Sequence, residues 1–329
     1  MHIPNAVLDP QIAIATGVIG IAGLAYSLRA VDKQHGERTT VLMGTMSAFV
    51  FAAQMVNFTL GPLGVSGHLL GGVLSAVMLG PWAGAVVIAA VLIVQCFLFG
   101  DGGLTALGAN FLNMGLIGSV VGYAIYAPIR RAIGGRAGVL VGATLAAWIS
   151  VILAAGAFSL ELSAAGRRAD FLRVLSMMTL VHAAIGVGEA VITGLVLRFI
   201  LLTRPDLIYE PSVDSARIPL ANSFQIAAAG LAIALAVGIF LAPFASEHPD
   251  GLDFVGKTIG FINDEAPAPS PVSLPVLIPD YQFPGLASFS LKWATAAAGL
   301  VGTLVVFAVG VSLAKVISRP APKGSPDAA

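Results

Sequence analysis

The chain begins MHIPNAVLDP, which places a histidine beside a chain end. The amine of Met1, the backbone amide nitrogen of His2 and the Nδ1 atom of His2 can together bind one metal ion. The amine and amide would close a five-membered ring, and the amide and Nδ1 a six-membered ring. These three nitrogens lie in one plane and leave one corner open. A fourth nitrogen would complete a square, the geometry of Ni(II) and Cu(II) sites.

A second candidate ligand, His68, lies in GVSGHLLGG (64–72), among glycines that let the backbone approach other groups closely. The membrane orientation argued below places it on the same side as His2. A lone histidine here could simply cap a helix. Two histidines on one side of the membrane, one of them next to a chain end, form a candidate ligand pair.

Four polar residues also lie inside the apolar stretch CFLFGDGGLTALGANFLNMG (96–115): Asp101, Thr105, Asn110 and Asn113. Asn110 and Asn113 are three residues apart, so they share a helix face. Buried polar groups in membranes are costly and are usually paired. These two asparagines either join helices or orient metal ligands from behind.

Two further stretches contain ionisable groups. His182 and Glu189 are seven residues apart in MTLVHAAIGVGEAVITG and share a helix face. We favour a buried hydrogen-bonded pair between them over direct binding of an ion. His248 lies in FASEHPDGLDFVGKTIGF, where PDG is a turn signal. It either binds a cation transiently or belongs to a solvated loop.

The composition indicates what must position these groups. Of the 329 residues, 57% are hydrophobic and only 10% are charged, whereas soluble domains carry about 25% charged residues. The chain is therefore an integral membrane protein. The balance of 17 basic and 17 acidic residues leaves no basic surface, so nucleic acid is not an expected partner. The single cysteine, Cys96, lies in an apolar run and is predicted to pack in the core.

Apolar segments of roughly 20 residues predict transmembrane helices. Eight segments qualify, and a shorter ninth, 68–80, can cross if other helices bury it. The fold class is therefore an all-α polytopic membrane protein. The nine predicted spans are 11–30, 40–60, 68–80, 82–100, 104–126, 138–162, 176–201, 222–244 and 290–316.

The basic residues predict the orientation of these spans. With nine spans and the N-terminus outside, twelve of the 17 basic residues fall on inside segments and five on outside segments, as the positive-inside rule requires. If 68–80 did not cross, the later segments would flip and most of the bias would cancel. We therefore expect Met1, His2 and His68 outside, together with the loop 245–289, and a cytoplasmic C-terminus. No basic residue precedes the first apolar run, so we expect no cleaved secretory signal.

The polar, proline-containing stretch TRPDLIYEPSVDSARIPL predicts a boundary between two domains. We place a first domain at 1–202, a cytoplasmic linker at 203–221 and a second domain at 222–329. The two helices of the second domain flank the loop 245–289. Within that loop, APAPSPVSLP is predicted to be extended.

Four motifs, in order, resemble one family: MHIP, GVSGHLLGG, LFGDGGLTALGANFLNMG and VHAAIGVGEAVITG. They look like the substrate-capture subunit of cobalt/nickel energy-coupling-factor (ECF) transporters, the CbiM/NikM family, over roughly 1–201. The tail, about 222–316, resembles the auxiliary N component, and HPDGLDFV is similar to the PDGLE-type domain of the nickel branch. The resemblance implies a seven-helix S-component bundle plus two transmembrane helices that flank an extracytoplasmic loop.

The resemblance also implies a site. Its metal ligands would be the amine and amide nitrogens of Met1 and His2, with the His2 ring and His68. No resident cofactor is implied, because the ion, Ni(II) or alternatively Co(II), is bound as the transported substrate. The family's usual acidic residue after MHIP is Asn5 here. Residues expected to support the ligands from behind are Ser66, Asn110, Asn113, His182 and Glu189.

The family's mechanism implies partners. The subunit captures the ion outside the bacterial plasma membrane, and a transmembrane scaffold (T/Q) subunit driven by two cytoplasmic ATPase (A/O) subunits topples it within the lipid bilayer. This sequence has no G-x-x-x-x-G-K-[ST] phosphate loop, so energy must come from the partners and the chain itself is not expected to be an enzyme. The small-xxx-small stretch AFVFA (48–52) is a candidate contact with the scaffold.

Two alternatives stay open. The residues GVSG fit the G-x-S-G of rhomboid intramembrane proteases, with Ser66 as nucleophile and His182 as base. Cobalt transport by the same mechanism is the second alternative. Since the implied ligands all lie in the first 68 residues, we expect the second domain to help load the ion and not to be needed to hold it.

Overall fold

The computed structural model describes residues 1–32, 37–164, 171–209, 221–262, 275–286, 288 and 290–317. Helices dominate these residues, and one short antiparallel hairpin joins two of them. The elements are α1 (Pro10–Asp32), α2 (Glu37–Gln54), β1 (Phe58–Thr59), β2 (Ser66–Gly67), α3 (Gly72–Leu79), α4 (Pro81–Val94), α5 (Leu107–Ile133), α6 (Gly135–Ala164), α7 (Phe171–Thr203), α8 (Ala221–Ala236), α9 (Gly251–Ile259) and α10 (Leu291–Ile317).

Several long helices contain π-helical turns. The α4 helix continues as a π-helix over Gln95–Phe99, α5 is π-helical over Phe111–Val121, and α8 continues as a π-helix over Val237–Leu241. Such turns are rare and often lie at functional sites. The first of them begins with a glutamine that reaches the candidate site described below.

Seven helices of the described residues are long and apolar enough to cross a membrane, which confirms the all-α polytopic class. Each of the nine predicted spans contains helix, but two differ from the prediction. The predicted span 40–60 is helical only to Gln54, because the chain then enters β1. The predicted span 68–80 contains only the eight residues of α3, seven of them buried. The α3 helix is too short to cross a bilayer, and it lies inside the bundle.

The α4 helix forms the centre of the bundle. Most of its length is buried, and α1, α2, α3, α5 and α10 pack around it. Cys96, just beyond α4, is buried as predicted. By contrast, little of α1 is covered by the rest of the chain.

The second-domain helices α8 and α10 pack against α2. The small side chains of Ala48 and Ala52 form a cluster with Ala234 of α8, and Phe307 of α10 packs on it. The expectation that AFVFA contacts a scaffold subunit is therefore wrong for this face, because the chain's own second domain covers it.

The loop between α8 and α10 is more ordered than predicted. It contains α9, which packs against α7, so the interpretation of 244–261 as a solvated loop is wrong. Of the predicted extended stretch APAPSPVSLP, all but Pro275 lies outside the described residues. In the predicted linker, Pro205–Leu207 forms a 3₁₀ turn, and 210–220 lies outside the described residues.

Candidate metal site

The first residues run in an extended path between the α4–α5 loop and α5. The backbone N–H of Ile3 donates to Asn110 Oδ1 at 2.8 Å, and Asn110 Nδ2 donates to the Ile3 carbonyl at 3.2 Å. Gly103 N also donates to that carbonyl at 2.8 Å. A Cβ at position 103 would lie 2.3 Å from Asn5 N, so only glycine allows this approach. These contacts fix the position of the chain end along the axis of the helix bundle.

The terminal amine lies where three segments meet. Met1 N is 2.7 Å from His68 Nε2, in the loop before α3, and 2.7 Å from Asp250 Oδ2, at the start of α9. Met1 and His68 are both buried. The structure therefore brings together two groups that are 67 positions apart, as the sequence predicted, and adds a carboxylate from the second domain.

His68 is held with its Nε2 atom free to bind. Its Nδ1 donates to the Leu69 carbonyl at 3.0 Å, so the lone pair lies on Nε2, which faces the amine. Burial, followed by the positive amine, lowers the pKa of His68 to about 3, which keeps the ring neutral. The next two backbone N–H groups, of Leu70 and Gly71, both donate to the Glu189 carboxylate. This carboxylate fixes the loop that carries His68.

A chain of hydrogen bonds favours one tautomer of His2. The Leu70 carbonyl can only accept, so Gln54 presents Nε2 to it at 2.9 Å. Gln54 Oε1 therefore accepts from Gln95 Nε2 at 2.8 Å, and Gln95 Oε1 faces His2 Nε2 at 3.0 Å. This direction favours a proton on His2 Nε2 and a lone pair on Nδ1, although Asp101 on the other side of the ring favours the opposite tautomer. Chelation through the amide nitrogen and Nδ1 requires the lone pair on Nδ1.

The Nδ1 side of His2 faces a second carboxylate. His2 Nδ1 lies 3.2 Å from Asp101 Oδ1, and Tyr281 of the second domain donates to Asp101 Oδ2 at 2.5 Å. Burial lowers the pKa of His2, although Asp101 opposes this effect. The His2 and His68 rings are stacked, with centroids 5.2 Å apart. Both rings therefore lie side by side at the chain end.

Burial and neighbouring charges also determine the state of Asp250. Burial alone would raise the pKa of this carboxyl, but the amine and His68 more than compensate and hold it well below its usual range. Asp250 is therefore ionised beside the amine. Among the described residues, no group of three or more His, Cys, Asp or Glu side chains is arranged to hold a metal ion. A terminal chelate differs from such a cluster because it also uses backbone nitrogens.

The predicted pairing of His182 with Glu189 is wrong. His182 Nδ1 donates to the Met178 carbonyl at 2.8 Å, and its buried Nε2 has no hydrogen-bond partner among the described residues. Glu189 is engaged with the backbone after His68. Seven helical residues span about 10.5 Å along the axis, which is too far for a direct hydrogen bond although both side chains share a face.

The two asparagines have different partners. Asn110 holds Ile3 beside the site, whereas Asn113 Nδ2 donates to Glu161 Oε2 at 3.0 Å and joins α5 to α6. Asn5, where the family has an acidic residue, accepts from the backbone and hydroxyl of Thr105 at 3.1 Å.

Ser66 is committed to the second domain. Its hydroxyl donates to the His248 carbonyl at 2.7 Å, and its backbone N–H donates to the Pro249 carbonyl at 2.9 Å. It makes no hydrogen bond to His182, so the protease arrangement of Ser66 and His182 is wrong. The side chain of His248 is exposed, and the residue meets the site through its backbone.

Three polar residues of this region were not predicted from the sequence: Gln54, Gln95 and Tyr281. Gln54 and Gln95 are amides inside apolar helices, which is a signal that the search for ionisable groups overlooked. Asp250 is one of the acidic residues beside His248, where the sequence indicated a turn and a candidate cation contact but no contact with the chain end.

Comparisons with known proteins match two parts of the chain to two families. Residues 2–207 match the CbiM family, described as the cobalt uptake substrate-specific transmembrane region. Residues 224–319 match the PDGLE domain. The putative fused nickel transport protein NikMN of Archaeoglobus fulgidus is 36% identical over 319 residues, which cover 96% of this chain and 98% of that one.

A second relative and a solved structure also match this chain. The fused nickel transport protein NikMN of Rhodobacter capsulatus is 34% identical over 63% of this chain and 64% of its own length. A crystal structure of a truncated transition metal transporter matches with a TM-score of 0.56 and 30% identity, over 61% of this chain and 99% of that chain. The resemblance to CbiM/NikM fused to a PDGLE-type domain is thereby confirmed. This chain belongs to the CbiM family of cobalt uptake substrate-specific transmembrane proteins and carries a PDGLE domain behind that region.

Proposed function

We propose that this chain captures a transition-metal ion, most simply Ni(II), as the substrate-specificity component of an ATP-driven ECF transporter. The ion would be bound by the amine of Met1, the amide nitrogen and Nδ1 of His2, and Nε2 of His68. The single observation that carries the proposal is the 2.7 Å separation of the buried terminal amine and His68 Nε2.

That separation fits a square of nitrogens. Metal–nitrogen distances are about 2.0 Å, so neighbouring corners of a planar site lie about 2.8 Å apart. The amine and His68 Nε2 have this spacing before any ion is bound. The hydrogen-bond chain through Gln95 also favours a lone pair on His2 Nδ1, the atom that a terminal chelate uses. To bind the ion, the imidazole of His2 needs only to turn its Nδ1 atom away from Asp101 and toward the metal.

Two observations favour nickel over cobalt. A planar four-nitrogen site is the preferred geometry of Ni(II) and Cu(II), and affinity rises from Co(II) to Ni(II). The relative with the full two-domain arrangement bears a nickel transport name. Cobalt transport by the same site is the second candidate, supported by the family's description.

The proposed assembly supplies what the chain lacks. Its sequence has no phosphate loop, so a transmembrane scaffold and two ATPase subunits would provide the energy. The segment from His68 to Gly80 changes sides although α3 is short, because the end of α3 reaches the residues just beyond α7: Tyr209 N donates to the Val77 carbonyl at 2.9 Å. With that crossing, the excess of basic residues on alternate segments supports a binding site on the outside of the plasma membrane and a cytoplasmic C-terminus. The metal would thus enter from outside, beside α9.

Nickel binding to two variants tests the ligand set. His2→Ala removes Nδ1 and with it the six-membered ring, and His68→Ala removes the fourth nitrogen. Both should abolish high-affinity binding by the purified protein. His248→Ala is the matched control, because it removes an exposed histidine of the same region, and it should bind normally. Parent-like affinity in either test variant would refute the terminal chelate.

Uptake then distinguishes the metals. Cells that co-express the scaffold and ATPase partners with this chain should accumulate nickel in preference to cobalt when both are supplied. The His68→Ala variant should accumulate neither. A preference for cobalt would establish the second candidate.

A further inference from the structure

The PDG turn of the second domain is fastened to the strand that leads into His68. The carbonyls of His248 and Pro249 accept from the hydroxyl and backbone N–H of Ser66. Ser66 and Asp250 also form a parallel β-bridge. The PDG turn and the loop that carries His68 are therefore hydrogen-bonded to each other, so a movement of one would displace the other.

Asp250 uses its two oxygens for two different purposes. Oδ1 accepts from Asp253 N at 2.9 Å and caps the start of α9. Oδ2 lies 2.7 Å from the Met1 amine and 4.0 Å from His68 Nε2. The cap holds the side chain in one orientation, which directs the second oxygen at the amine.

The residues after Asp250 press the turn against the bundle. A Cβ at Gly251 would lie 2.5 Å from Ile185 Cδ1 and 2.9 Å from the His182 ring, so the approach requires glycine. Leu252 is fully buried in the same apolar cluster as Met1 and Ile3. The second domain thus forms one wall of the candidate metal site.

We propose that Asp250 is a positioning residue of the metal site, supplied by the second domain. Its carboxylate accepts a hydrogen bond from the terminal amine and directs the amine's lone pair at the ion. A coordinated amine still carries two N–H bonds, so the contact persists when the ion is bound. Carboxylates play this role behind metal-bound histidines, where they orient the ligand and raise its basicity.

Charge supports the same assignment. A divalent ion bound by an amine, a deprotonated amide and two neutral imidazoles carries a net charge of +1, and burying an uncompensated charge is costly. The Asp250 carboxylate supplies opposite charge beside the amine, as Asp101 does beside the His2 ring. The inference rests on the proposed function, and it revises the expectation that the second domain is not needed to hold the ion.

Asp250→Asn in the full chain isolates the amine contact. Asparagine caps helices as well as aspartate does, but its one oxygen is then used by Asp253 N, and its NH₂ faces the amine. We expect nickel affinity to fall about 10–100-fold, with the metal-free thermal midpoint unchanged. The ligand-field absorption of the nickel-saturated protein should also shift, which a change in stability alone would not cause.

Two further variants make the result decisive. Glu247→Gln removes an exposed carboxylate three residues away and should leave nickel affinity unchanged. Ser66→Ala loosens the turn without touching a ligand and should weaken binding about 5-fold, the effect of one neutral hydrogen bond. If Asp250→Asn folds and binds nickel within two-fold of the parent, the inference is overturned. If His68→Ala also binds normally, the proposed ligand set fails with it.

Discussion

The variant Gln54→Leu tests whether a buried hydrogen-bond chain sets the tautomer of His2. Gln54 touches none of the proposed ligands and is joined to His2 only through Gln95. Without Gln54 Oε1 as acceptor, the Gln95 amide is free to turn over. Its NH₂ group can then face His2 Nε2, and the imidazole proton moves to Nδ1.

The structure sets the size of the effect. With its proton on Nδ1, His2 can donate to Asp101 Oδ1, which lies 3.2 Å away. A hydrogen bond to a charged group contributes about 1.5–3 kcal/mol, so the tautomer that cannot chelate would hold about 90–99% of the population. Apparent affinity scales with the competent fraction. The dissociation constant for nickel should therefore rise about 10–100-fold.

Two measurements on detergent-solubilised protein check this. Competition with a chelator of known affinity gives the dissociation constant, and nitrogen NMR of histidine-labelled protein reports which ring atom of His2 is protonated. Thr193→Val is the matched control, because its buried hydroxyl has no hydrogen-bond partner among the described residues. A folded Gln54→Leu protein with parent affinity and an unchanged tautomer would refute the reasoning.

Three further predictions follow from the same geometry. Since the pKa of His68 is about 3 and that of His2 is lowered, neither imidazole should release a proton when nickel binds at pH 7. The amide nitrogen must still lose its proton, so binding strengthens as pH rises. Calorimetry in buffers of different ionisation enthalpy counts the released protons, and a count of four would contradict the assignment. Glu189→Gln weakens its bonds to the loop after His68 and should cost about 1–3 kcal/mol of stability, seen as a lower thermal midpoint; an unchanged midpoint would contradict it. Gly251→Ala places a methyl 2.5 Å from Ile185 and should release α9, at a cost of about 1–3 kcal/mol, seen as faster proteolysis at 251–259; parent-like resistance would count against the docking.

The chain end could be selected from the sequence as a candidate chelate because its chemistry is local. A terminal amine next to a histidine can form two chelate rings whatever the fold, so His2 needed no tertiary information. Adding His68 required only that both histidines lie on one side of the membrane. The closeness of the amine and His68 Nε2, at 2.7 Å, is consistent with both steps.

The supporting residues were harder to predict because their partners are distant in sequence. Gln54 and Gln95 are single amides in apolar helices, and nothing local indicates that they bond to each other across 41 positions. His182 and Glu189 show the opposite failure, because a shared helix face was taken for contact although the side chains lie two turns apart. Helical periodicity predicts on which face of a helix a side chain lies, but it does not show whether two side chains on that face are close enough to form a hydrogen bond.

Span prediction was limited in a similar way. Hydropathy located helix in all nine segments, since apolar side chains must be buried or face lipid. It did not show that α3 has only eight residues, because a short helix enclosed by others and a lipid-facing span have the same composition. Likewise, the small residues of AFVFA indicated close packing, but only the structure shows that the neighbour is the chain's own second domain.

The two hydrogen bonds between Asn110 and Ile3 have a consequence for how this protein can vary. Asn110 pairs with the N–H and the C=O of one residue, as a neighbouring strand would, and it makes no use of that residue's side chain. The position of Asn110 therefore fixes the number of residues that can precede Ile3. Another apolar residue of similar size at position 3 would keep the amine of residue 1 in the same place. Adding or removing one residue before position 3 would shift the amine. These contacts therefore constrain the length of the first segment more strictly than the identity of residue 3.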